Sequence, residues 1–94
     1  MKPAQPRIAP EQRARLAQKG RLLYHKACGD GRTSCAESFA LHHMRRGEPE
    51  VALDLIAFLT AEAEALRAHD PTERLAMTED LAARIRQDLN SEAS

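Results

Sequence analysis

The sequence predicts an all-α fold, a small antiparallel four-helix array or bundle with a flexible N-terminal arm. Three observations lead there. Apolar residues recur at spacings of three and four in four successive segments. Ala, Leu, Glu, Arg and Gln are abundant, and β-branched residues are few, which favours helix over strand. Proline, glycine and capping residues stand between the segments, where helices start and stop. With 94 residues the chain is one domain at most, and its stability should be modest.

Residues 1–9 hold Pro3 and Pro6 and show no apolar period, so they read as a flexible basic arm. Pro10 suits the first position of a helix, where its missing N–H costs nothing. The first helix is expected over about 10–27, with Leu16, Gly20, Leu23 and Ala27 facing inward. Gly20 either weakens this helix or permits a close approach of another. Gly29-Asp30-Gly31 should end it, with Gly29 as a left-handed cap.

Ser34-Cys35-Ala36-Glu37 fits a capping box that opens the second helix, which ends near Arg46 with Gly47 beyond it. Its apolar arc is Ala36, Phe39, Ala40, His43 and Met44, with Cys35 at the edge. Pro49 opens the third helix, over about 49–68, the most apolar of the four. Val51, Ala52, Leu55, Ile56, Phe58, Leu59, Ala63 and Leu66 cover nearly half its circumference, so it should be central. Asp70 and Pro71 signal the start of a fourth helix, over about 71–89. Its inward face is Leu75, Thr78, Leu81, Ala82, Ile85 and Leu89. The single helical domain then covers 10–90, and residues 91–94 should fray. Leu55, Leu59, Leu66, Leu81 and Ile85 are the expected core, since Tyr24, Phe39 and Phe58 are the only aromatics.

Formal net charge is zero, yet the charges are segregated. Residues 1–46 hold ten Lys/Arg against three acids, and residues 47–94 hold four Arg against eleven acids. Either the halves pack together and neutralise, or the basic half meets an acidic partner. No apolar run approaches the ~20 residues of a membrane span. The N-terminus lacks the apolar stretch of a secretory signal, so a cytoplasmic protein is expected. The Arg- and Ala-rich composition fits a GC-rich bacterial or phage genome.

The corner between the first two helices concentrates the reactive groups. His25 and Cys28 share a helix face, and Cys35 starts the next helix, where the helix dipole lowers a thiol's pKa. The favoured reading is two free cysteines. A disulfide across the loop and a metal site of His25, Cys28, Cys35 and Glu62 are the alternatives, the spacing being loose for zinc. His42 and His43 diverge by about 100° on one helix and cannot easily share a metal. His43 reads as a hydrogen-bonded histidine of the apolar arc. Glu62 falls by angle among Phe58, Leu55, Leu59 and Leu66, so it should be paired, with Arg32 or His25 within reach, or exposed at the rim. No phosphate-cradling loop, no metalloprotease motif and no nucleophile elbow is present, so no catalytic residue and no cofactor is expected.

Arg13, Arg15, Lys19, Arg21 and Lys26 make the first helix the basic face of the chain. They suit an acidic protein surface better than nucleic acid. The apolar, acidic third helix cannot read a major groove, and no aromatics interleave the basic residues for stacking. The expectation is a non-enzymatic interaction or regulatory protein that docks on a protein partner or self-associates. Nucleic-acid binding through the basic half is the second reading, and a thiol or metal sensor at the Cys28/Cys35 corner is the third.

Overall fold

The computed structural model describes residues 8–30, 34–69 and 73–93, with side chains at 8–26, 35–69 and 73–92. Four helices follow in order: α1 (Pro10–Asp30), α2 (Ser34–Arg45), α3 (Pro49–His69) and α4 (Glu73–Ala93). No strand occurs among the described residues. Side-chain contacts fix the directions. Gly20 of α1 lies against Phe39 of α2, and Arg67 and Thr60 of α3 meet Glu79 and Arg86 of α4, so α3 and α4 are antiparallel. Arg13 meets Asp54 and Tyr24 meets Phe58, so α1 and α3 run the same way. Glu37 meets Arg84 and Arg45 meets Glu92, so α2 and α4 do too. α2 and α3 each pack on all three other helices, which makes them a joint centre. Among the described residues α1 and α4 meet around Tyr24 and His25 on one side and Arg74 and Thr78 on the other.

The α2–α3 joint shows why the sequence turns there. Gly47 has φ 79°, the left-handed region that favours glycine. The Glu48 N–H donates to the His43 carbonyl at 2.9 Å, and the Gly47 N–H donates to the Met44 carbonyl at 3.0 Å. That pair of bonds is a Schellman motif, which satisfies the last carbonyls of α2. Pro49 then opens α3. His43 Nδ1 bonds Glu48 Oε1 at 2.8 Å, so the histidine of the arc is hydrogen-bonded. That bond, ahead of the charge of Arg46, holds the Glu48 carboxyl below the usual carboxylate range.

The core follows the apolar periods. Leu55, Leu59, Leu81 and Ile85 are buried with Ala36, Ala40, Met44 and Ala52 between them. Every inward residue expected on α3 is buried or half-buried; Leu66, expected in the core, is only half-buried, in the last turn but one of the helix. Gly20 is a close-approach glycine. A Cβ there would stand 3.3 Å from Phe39 Cε2 and 3.5 Å from Leu55 Cδ1, so its bareness brings α1 onto α2 and α3 together.

Four features differ from the sequence reading. α1 runs on through Gly29 to Asp30, so Gly29 is helical and not a left-handed cap. Glycine lowers helix propensity by about 1 kcal/mol but does not by itself end a helix. α4 continues to Ala93, because Arg45 Nε donates to Glu92 Oε1 at 3.1 Å and ties the last turn to α2. Ile8, placed in the arm, is buried, so the body begins before Pro10. Tyr24 rather than its neighbour Leu23 is the most buried side chain of α1. The cap at Asp70 and Pro71, and the arm before Ile8, lie outside the described residues.

Candidate functional site

The outward face of α1 is the candidate. Arg15, Lys19, Leu22 and Lys26 fall at steps of four, three and four, so they form one stripe along the helix. All four are exposed, and Leu22 at 61 % is the most exposed large apolar side chain among the described residues. Arg21 is exposed beside the stripe. Lys19 extends over the Phe39 ring, with Nζ 5.7 Å from the centroid, which fixes its stem against α2. Among the described residues, Arg15, Lys19, Arg21 and Lys26 form no ion pair with a carboxylate within the chain.

Arg13 behaves differently from the other four. Its Nε and Nη2 each donate to Asp54 of α3 at 2.7 Å, a two-pronged pair. It therefore clamps the start of α1 and is not available in the way its neighbours are. Arg45 and Arg46 are likewise engaged, with Glu92 and Glu48. Part of the charge segregation is thus matched inside the fold. Among the described residues, the α1 stripe is the part of the basic half that faces outward without a carboxylate partner in the chain.

At the far end of α1 a second group of polar side chains gathers. Tyr24, His25 and Phe58 pack edge to face, with Tyr24–Phe58 centroids 5.4 Å apart and His25–Phe58 centroids 5.9 Å apart. Arg74 Nη2 lies 3.4 Å from His25 Nδ1 and 3.7 Å from Glu62 Oε2. Glu62 is thus a paired carboxylate near the rim, its side chain 27 % exposed. The pairing partner is Arg74 of α4, which sequence spacing did not suggest. Arg32, the other partner expected for Glu62, lies outside the described residues. His25 and Glu62 do come together, but a cation stands between them, which opposes a metal ion at that point. Cys35 is an exposed free thiol, and the Cys28 side chain lies outside the described residues. Among the described residues no three His, Cys, Asp or Glu side chains are placed to hold a metal. His42 and His43 sit edge to face with centroids 5.0 Å apart, and only His43 turns to Glu48.

An open groove of about 300 Å³ lies between α3 and α4. Its floor includes Leu59, Ala63 and Ala82, where two alanines leave room. Two contacts cross it: Arg67 donates to Glu79, and Arg86 donates to the Thr60 hydroxyl at 3.1 Å. Nothing among the groove's side chains pairs a nucleophile with a base.

No described helix is long and apolar enough to cross a membrane. Neither the family models, nor the curated proteins, nor the solved structures contain a match to this chain, so the reading of the site rests on its own geometry.

Proposed function

We propose that the protein is a non-enzymatic interaction module that docks on an acidic protein surface through the outward face of α1. The observation that carries this reading is Leu22, exposed in the middle of Arg15, Lys19 and Lys26. An apolar side chain ringed by cations is the pattern of a contact with a buried centre and a charged rim. The ring steers an acidic partner and the leucine supplies the area that water leaves. Self-association fits the same face less well, since a two-fold contact would set one basic stripe against another.

Phosphate binding supplies the second reading, because the same cations would neutralise a nucleic-acid backbone. Leu22 favours protein, since a phosphate backbone gives an exposed leucine nothing to pack on. The test is a capture experiment with three baits: wild type, Leu22→Ser, and the reversal of Arg15, Lys19, Arg21 and Lys26 to Glu. A partner retained by wild type and lost by both variants, each with an unchanged circular dichroism spectrum, is the expected result. Retention by Leu22→Ser with loss in the reversal, together with retention of duplex DNA or RNA by wild type, would replace this reading with nucleic-acid binding.

A further inference from the structure

A line of charged side chains runs along the seam between α2 and α4. At one level Arg84 Nη1 is 3.7 Å from Glu37 Oε1, and two turns further along both helices Arg45 meets Glu92. Asp88 stands between these levels on α4, one turn from Arg84 and one from Glu92. Its Oδ2 is buried and receives no hydrogen bond from a fixed donor of the described residues. The Glu37 carboxyl, one turn before that level on α2, faces the Asp88 carboxyl across the seam. The cations of the seam are divided among several carboxyls, and none is in an ion pair with Asp88 among the described residues. Arg84 Nε holds Asp80 Oδ2 at 3.0 Å, and Arg45 holds Glu92. Among the described residues, α1 and α3 place no charged group in an ion pair with either carboxyl.

A buried acceptor facing a second carboxyl lacks one thing, a donor. One proton supplies it, since a protonated Glu37 donates its O–H to the Asp88 carboxylate and removes the repulsion between two carboxylates. We propose that Glu37 and Asp88 share one proton across the α2–α4 seam, so that the seam is fastened in mild acid and loosened as the pH rises.

Burial of Glu37, then its bond to Asp88 and the charge of Asp88, push the Glu37 carboxyl above the usual range, and Arg84 pulls the other way. A carboxyl raised in the fold contributes stability that is complete below its unfolded value of about 4.3. That contribution is lost as the pH climbs through the folded value. Above it, two carboxylates face each other, and Arg84, which Glu37 divides with Asp80, offsets only part of their repulsion. The Glu37 side chain is 26 % exposed, so water screens part of the effect.

Two measurements on the full chain test this. Carbon-detected NMR follows the side-chain carboxyls of Glu37 and Asp88 between pH 3 and 8. The expected result is a coupled titration in which Glu37 changes above the ordinary range and Asp88 shifts with it. Thermal melts of wild type and Glu37→Gln cover the same range. The glutamine amide donates to Asp88 at every pH, so its Tm should match wild type near pH 4 and exceed it at pH 7. Asp88→Asn, which reverses the donor, should behave the same way. Two independent titrations at ordinary values, or Tm differences that do not change with pH, would overturn the proposal.

Discussion

Tyr24 and Thr78 are the residues whose chemistry is most tightly determined. Thr78 is fully buried and spends its one hydroxyl proton on the Arg74 carbonyl at 2.7 Å. Tyr24 Oη lies 2.7 Å from Thr78 Oγ1, so the phenol must be the donor. The bond joins α1 to α4 where those helices otherwise barely meet. Tyr24→Phe should therefore lower stability by about 0.5–1.5 kcal/mol in urea unfolding, the ordinary net worth of such a bond. The ring stays in place, so the spectrum should not change. Sequence spacing put Thr78 on the inward face of α4 but did not find its partner. The missing clue was that a buried hydroxyl needs one, and the lone tyrosine of the chain sits one residue from the assigned stripe. Glu62 taught the same lesson. Its angle on α3 marked it as a carboxylate in need of a cation, but Arg74 comes from a different helix, and only tertiary packing brings it there.

At the level of the helices, the periods carried most of the information. The inward faces of α2, α3 and α4 are the ones their spacing marks, because a stripe of apolar residues has only one way to leave water. Leu59 is fully buried at the meeting of these faces, and Leu59→Ala should cost about 2–4 kcal/mol by the same unfolding measurement. The turn at Gly47 was readable too, since glycine followed by glutamate and proline stops one helix and starts another. Gly47→Ala forces a Cβ into the left-handed region and should cost about 1–2 kcal/mol, with no effect on the helix faces. The ends were harder. α1 passes through Gly29 and α4 reaches Ala93, since end residues are held by contacts with other elements. The Arg45–Glu92 pair is such a contact, and no local pattern announces it. Ile8 is a further case, a single apolar residue between prolines with no period to belong to.

Among the described residues, the segregated charge falls into two parts. Arg13–Asp54, Arg45–Glu92, Arg46–Glu48 and Glu37–Arg84 join the basic half to the acidic half inside the fold. Arg15, Lys19, Arg21 and Lys26 remain on the outer side of α1, around Leu22. The sequence showed the imbalance but not this division, because pairing depends on which helices touch. Exposed charges contribute little to folding, so reversing these four should leave the melting temperature nearly unchanged. Their effect should fall on encounter with the partner. Attraction over such distances is screened within about 10 Å at 0.1 M salt. The most direct test is the association rate of wild type and the four-site reversal on the captured partner, measured by surface plasmon resonance over a salt series. Docking through α1 requires a wild-type rate that falls steeply with salt and a reversal that is slow at every salt. A wild-type rate indifferent to salt, or a reversal that associates normally, would contradict it and leave the charge segregation to internal pairing alone.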